Sequence, residues 1–339
     1  MELKQRFLRY CKLTAQVFPT PHPDNVKGFT FDDPVKTAND YLFLKDSSDV
    51  FVMLNHLGFE NDVLLANQLP VNVVDLIIGG HSHTKIDSDQ IHNGIMITQA
   101  ERRLKYATLI KLTIHPDGKV SKEMQLLTIG NKGSIRPDIQ AMVDKYNSNP
   151  AMTEVVAIAE DNFSTKKEVG YLMTDALRNA LGKDIALVNP GGVRASTIDK
   201  GPVLTKNVYE MDPFGNEIVQ FNLSGHELRN LFLSAFSLDD DSPIIPSGIT
   251  TRYILTQNGK LKDVELFTAE GQPLDMDKVY SVVMNDYMAT VYKYDHKDPG
   301  QGLFRPTAET TIEYLKELKS IPSYRGMQRV EMVKELSEK

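Results

Sequence analysis

Apolar residues follow two kinds of pattern along this chain, and the change comes near residue 130. Before it, Val50-Phe-Val-Met-Leu54 and Val73-Val-Asp-Leu-Ile-Ile78 are nearly continuous apolar runs, ending in Asn55 and in Gly79-Gly80 respectively. Runs of this kind suit strands buried on both faces of a sheet layered with helices. Between them, Glu60 to Gln68 reads as a helix with Val63, Leu64 and Asn67 on one face. Residues 95–98 read as a further strand, and 107–114 as another in which Leu109, Lys111 and Thr113 alternate with Ile110, Leu112 and Ile114.

Beyond residue 130 the spacing turns helical. Arg136-Pro137-Asp138 opens a helix with Ile139, Met142, Val143 and Tyr146 on one stripe, and Asn149-Pro150 closes it. Val169, Leu172, Met173, Ala176, Leu177, Ala180 and Leu181 share a face of a second helix, which Thr165 and Glu168 open as a capping box and Gly182 ends. A strand from Ile185 to Val188 follows. Ser224 with Glu227 forms a second capping box ahead of Leu228, Leu231, Phe232 and Ala235, and Asn258-Gly259 between strand-like runs signals a hairpin. The pattern therefore predicts an α/β protein, α+β in its second part. Its organisation is a first region over 1–130, a linker helix over 131–150 and a second domain over 151–339.

Composition narrows the classes. With 339 residues, 41% of them hydrophobic and 24% charged, the chain can bury a large core and is neither disordered nor collagen-like. A formal charge of −7 gives no broad basic footprint for nucleic acid or anionic membrane. No run reaches the 18 apolar residues of a membrane span. The single cysteine, Cys11, excludes an intrachain disulfide and reads as a structural thiol. Met1 to Gln16 does not read as a secretory signal, because Lys4, Arg6, Arg9 and Lys12 interrupt it.

Candidate chemistry sits where strands end. Alternation along Gly79-Gly-His-Ser-His83 would send His81 and His83 to one side, and His56 ends the neighbouring run in Asn55-His-Leu-Gly58. If the two strands are adjacent and parallel, three neutral imidazoles suited to a divalent transition metal gather at their carboxyl ends. Surface histidines satisfied by water fit the same residues equally well. In Asn189-Pro-Gly-Gly-Val-Arg194, Arg194 could hold a phosphate with paired donors, although a tight turn with a local salt bridge is the commoner meaning of such a segment. Pro213-Phe-Gly-Asn216 and Asn285-Asp-Tyr287 each place a ring beside a turn or strand end, and two rings could sandwich a base or simply pack in a core.

Taken in order, these segments resemble the 5'-nucleotidase family, in which a calcineurin-like metallophosphoesterase domain precedes a substrate-binding domain. The resemblance runs from Pro21-His-Pro-Asp-Asn-Val-Lys-Gly28 almost to the C-terminus. It rests on His-Leu-Gly at 56–58, Gly-Gly-His-Ser-His-Thr at 79–84, Asn-Pro-Gly-Gly-Val-Arg at 189–194 and Asp-Pro-Phe-Gly-Asn at 212–216. It implies metal-dependent hydrolysis of nucleoside phosphates, with Zn or Mn as the metal and His56, His81 and His83 among its ligands. It further implies Asn189, Arg194, Phe214, Asn216 and Tyr287 as nucleotide-binding residues. Phe214 and Tyr287 would stack on the base, Arg194 would act on the phosphate, Gly248 would border the base, and Lys166 or Lys167 would lie near the phosphate. Periplasmic or extracellular location is the family's habit.

The departures from the family pattern carry expectations too. The family's Asp-x-His, Gly-Asp and Asn-His-Glu/Asp motifs have no counterpart in the sequence, which implies an N-terminally truncated, incomplete metal site and weak catalysis by this chain alone. A second chain could supply the missing motifs, or the protein could bind nucleotides without catalysis. Cyclic 2',3'-nucleotide phosphodiesterase and UDP-sugar hydrolase activities share the architecture. Val291 to Pro299 is an insertion relative to the family, and Gln301 takes the place of a base-binding Asp.

Overall fold

The computed structural model describes residues 5–11, 28, 30–130, 133–238 and 243–335, with residues 5–11 and 237–238 described by backbone alone. Pro21–Lys27 of the resembling segment, His22 and the Cys11 side chain fall outside what is described. The chain divides into two compact units, Met1–Ile135 and Arg136–Lys339. Among the described residues no helix is long and apolar enough to cross a membrane.

In the first unit the elements are β1 (Gln5–Cys11), α1 (Pro34–Asp40), β2 (Val50–His56), α2 (Phe59–Gln68), β3 (Leu76–Ile78), β4 (Ile91–His92) and β5 (Ile95–Thr98), followed by β6 (Tyr106–Ile114) and β7 (Val120–Thr128). The sheet order is β1-β2-β3-β5-β4, parallel throughout except for β4. Burial on both faces explains the continuous apolar runs, since Phe51, Met53, Ile77, Ile95 and Ile97 join one core while Val50, Val52, Leu76 and Met96 join another. The second core is closed by Ile110 and Leu112 of β6 and by Val120 and Met124 of its hairpin partner β7. Two expectations shift. Helix α2 buries Asp62, Leu65 and Ala66, whereas Leu64 is exposed. Strand β3 starts only at Leu76, because Asp75 turns its carboxylate onto the Phe51 N–H and Lys45 Nζ, each at 2.9 Å.

The second unit opens with α3 (Pro137–Asn147), the expected helix over 136–149; its apolar stripe stays exposed, from 42% at Ile139 to 74% at Tyr146. There follow α4 (Pro150–Thr153), β8 (Val155–Ala159), α5 (Lys166–Leu181), β9 (Ile185–Val188), β10 (Gly201–Leu204), α6 (Thr205–Met211), β11 (Glu217–Ser224) and α7 (Gly225–Leu238). The remainder is β12 (Ile245–Ser247), β13 (Ile249–Leu255), β14 (Leu261–Thr268), β15 (Val279–Asn285), α8 (Asp286–Val291), β16 (Gln301–Pro306), α9 (Thr307–Leu318), β17 (Ser320–Ile321) and β18 (Val330–Lys334). The strands of this unit form a five-stranded mixed sheet, β12-β9-β15-β11-β16, and two three-stranded sheets, β10-β8-β17 and β14-β13-β18. Both capping boxes form, Thr165 with Glu168 and Ser224 with Glu227, and Gly182 closes α5 in the left-handed conformation at φ 59°. Gly259 at φ 79° closes the β13–β14 hairpin.

Candidate functional site

Strands β2 and β3 are adjacent and parallel, with Leu54 opposite Ile78, so His56 and the Gly79–Thr84 loop leave the sheet at the same end. The His56 and His81 rings meet edge-on with centroids 5.1 Å apart. Glycines lie beneath them: a side chain at Gly80 would crowd His56 Nδ1 at 2.9 Å, and one at Gly79 would crowd Asp62 Oδ2, so either would displace the side chain it meets.

Strand alternation does not bring His81 and His83 to one side. Both lie in a loop with left-handed backbone, at φ 75° and 55°, so strand alternation does not apply to them. Another set of side chains fixes the loop. Gln99, at the end of β5, donates to the Gly80 carbonyl at 3.0 Å and accepts from the Thr84 N–H at 3.0 Å and from Ser82 Oγ at 3.1 Å. Ser82 Oγ in turn accepts from the Phe59 N–H at 3.0 Å, pinning the loop to the start of α2. Asp62 is fully buried below Gly79; its Oδ1 accepts from Asn55 Nδ2 at 2.8 Å, while Oδ2 has no partner among the described residues. Burial raises its pKa to about 6, partly offset by that bond.

Two imidazoles set nearly perpendicular fit a divalent ion in donor type. Among the described residues, however, no group of three or more His, Cys, Asp or Glu side chains could hold one, so His83 does not complete a triad with His56 and His81.

In the second unit the sheet collects its candidates by register. Strands β9 and β15 are parallel, and β11 runs against β15 with Ile218 opposite Asn285. The C-terminal ends of β9 and β15 and the start of β11 therefore share one edge, which carries Asn189, Asn285 and Tyr287, and the segment Asp212–Asn216. Asn285 was not singled out by the sequence reading as a site residue. Its Nδ2 donates to Asn189 Oδ1 at 3.0 Å, its Oδ1 caps α8 through the Met288 N–H, and both asparagines are buried. The signal available was its place directly after a strand and before Asp286-Tyr287.

The Arg194 N–H donates to the Met211 carbonyl at 2.8 Å, which brings its guanidinium over the Phe214 ring at 5.5 Å. Phe214 is 54% exposed. Tyr287 packs edge-on against Tyr292 at 6.2 Å. The Thr307 N–H donates to the Asn216 carbonyl at 2.9 Å, and Thr307 Oγ1 donates to Asp212 Oδ2. Asp212 Oδ1 is buried without a partner among the described residues, and burial raises the Asp212 pKa. Helix α5 is joined to β9 by a short turn, so it runs back against that strand and its first residues, Lys166 and Lys167, lie toward the same edge; Gly170 accordingly packs near Val193.

Gly248 does not join this group. Strand β12 is antiparallel to β9 with Ser247 opposite Ala186, which places Gly248 beside Asp184, at the opposite end of β9 from Asn189. At about 3.3 Å per residue the five residues from Asp184 to Asn189 span roughly 16 Å. Gly248 instead borders a separate cavity of about 600 Å³ with Arg178 and Arg329.

Two family models match the chain: calcineurin-like phosphoesterase over residues 7–85, and 5'-nucleotidase, C-terminal domain, over residues 150–293. Endonuclease YhcR of Bacillus subtilis is 26% identical over 337 residues, covering 91% of this chain and 27% of YhcR. Protein UshA of Escherichia coli is 25% identical over 315 residues, covering 76% of this chain and 56% of UshA. The chain thus spans between about a quarter and just over half of the length of these two relatives. Among solved structures, the 5'-nucleotidase precursor of Thermus thermophilus superposes with a TM-score of 0.75 at 27% identity, over 91% of this chain and 69% of that one.

Proposed function

Since the chain belongs to the 5'-nucleotidase family, we propose that it binds a nucleoside phosphate in its second unit and takes part in metal-dependent hydrolysis of the phosphoester. The carrying observation is the convergence of Asn189, Arg194, Phe214, Asn216 and Tyr287 on one edge of that unit's five-stranded sheet. Arg194 offers paired donors to the phosphate, with its orientation set by the Phe214 ring and by the backbone bond to Met211. Phe214 offers a half-exposed face for the base, with Tyr287 as the second ring, and Asn189, held by Asn285, offers its remaining polar atoms to the ligand.

In the first unit, His56 and His81 would hold Zn, Mn or a similar ion. A bound divalent ion would polarise the phosphoryl oxygen and lower the pKa of a coordinated water. Gln99, Ser82 and Asp62 keep the histidine loop in place for that role. This reading puts the protein in nucleotide catabolism, with the periplasm or cell exterior as its location. Because the described histidines form a pair and not a triad, a second reading is also supported: a nucleotide-binding chain whose hydrolysis needs ligands from another segment or a second chain.

Both readings are separated by one experiment. Calorimetry with AMP is expected to show binding by the full chain, and phosphate release with Mn²⁺ or Zn²⁺ is expected to be low until a segment carrying Asp-x-His and Asn-His-Glu is added. His81→Ala should then abolish the recovered release while leaving AMP affinity intact. Absence of AMP binding would sink both readings, and rapid metal-dependent turnover by the chain alone would sink the second.

A further inference from the structure

Strand β16 is the edge strand beside β11, and its pairing is irregular at the candidate nucleotide edge. Gly302 pairs with Val219 and Pro306 with Glu217, so three residues of β16 face the single residue Ile218. Ile218 is also the partner of Asn285 on its other side, which sets this bulge at the register of the Asn189–Asn285 pair.

In the middle of the bulge stands Phe304. It adopts φ 52°, the left-handed region that bulky residues avoid. It is also 84% exposed, more than any other large apolar side chain among the described residues. Strain and exposure both oppose folding stability, and such outliers persist where a site uses them. Three residues further on, Thr307 binds the Asn216 carbonyl, so Phe304 lies within about 10 Å of chain from the segment that carries Phe214. Gln301, paired with Gln220, remains in the ladder away from this edge. Of the three bulged residues, Leu303 and Arg305 are half-buried, Arg305 pairing with Glu313, and Phe304 is the exposed one.

We propose that Phe304 is a base-contacting residue of the nucleotide site, and that this contact makes affinity follow the ring area of the base more than its polar edge. The inference rests on the nucleotide-binding reading above. Every base has a π-face, so a pocket walled by rings tolerates base identity, and a purine offers more area than a pyrimidine.

Calorimetry on the full chain tests this with AMP, GMP, CMP, UMP and ribose 5-phosphate as probes. Phe304→Ala is expected to weaken AMP and GMP about tenfold, to weaken CMP and UMP less, and to leave ribose 5-phosphate unchanged. Phe304→Gly is expected to match the Ala variant in binding while melting no lower than the parent chain, because glycine adopts φ 52° without strain; that separates lost contact from damaged fold. If both variants bind AMP within twofold of the parent while Phe214→Ala weakens it, Phe304 is not a contact and the nucleotide reading stands. If Phe304→Ala weakens ribose 5-phosphate as strongly as AMP, the effect is on the fold of the edge and the base contact is overturned. If the parent chain binds none of the nucleotides, both readings fall together.

Discussion

The histidine loop of the first unit and the sheet edge of the second place their candidate residues by different means. In the second unit, strand register does most of the work: once β9, β15 and β11 pair, Asn189, Asn285 and the Phe214 segment arrive at one edge, and a single buried amide pair locks them. In the first unit, strand pairing delivers His56 and Gly79 to the same end, but the next five residues leave the ladder. Their left-handed turns are held by Gln99, at the end of β5, and by the bond from the Phe59 N–H at the start of α2 to the loop's own Ser82, with Asp62 of α2 packed beneath Gly79. A site at a strand end inherits the rigidity of the sheet; a site on a loop needs its own supports, each of which can be removed singly.

That contrast can be broken in three ways. The largest effect concerns Asp62. Its folded pKa of about 6 lies above the ordinary value of 3.8, so the fold prefers the protonated form. The stabilisation this gives is complete below pH 3.8 and disappears as pH rises to 6. Asp62→Asn removes the dependence, so its stability relative to the parent should rise by about 2 kcal/mol between pH 4 and pH 7 in denaturant unfolding. A parallel pH profile in the two proteins would show that Asp62 titrates normally and that the loop does not rest on a neutral carboxyl.

Next in size is Arg194→Ala, which removes the charged donor at the sheet edge. A ten- to hundredfold loss of AMP affinity is expected, since hydrogen bonds to charged groups contribute about 1.5–3 kcal/mol. The melting temperature should move little, because the Arg194 backbone bond to Met211 survives the change. Unaltered affinity would return Arg194 to the local turn that the sequence alone suggested.

The smallest effect is expected for Gln99→Leu, which deletes the bonds to Gly80, Ser82 and Thr84. Hydrogen exchange at the Thr84 amide should accelerate about tenfold, the worth of one net hydrogen bond, while AMP affinity stays at the parent value. Equal protection in both proteins would mean that the loop holds its shape without the amide clamp.

Local pattern was enough to identify much of this protein. Capping residues and apolar spacing marked α5 and α7 because a helix start is decided by atoms three residues apart. The Asn258-Gly259 hairpin was legible for the same reason, and so were the buried runs of β2 and β5. The family resemblance rested on other local segments, those at 56–58, 79–84, 189–194 and 212–216. What tertiary structure alone decided depends on partners far apart in sequence. The face of α2 was set by Asn55 and the sheet below it, not by the spacing of Val63 and Leu64. Gly248 went to the far end of β9 because β12 is antiparallel to it, a fact that no residue near Gly248 encodes. Asn285 found Asn189 across 96 residues, and Phe304 became a ring at the sheet edge only because β16 pairs with β11 across a bulge. Register and chain direction arise when distant strands meet, so the sequence determined which segments are strands and the assembled sheet determined which side chains share a site.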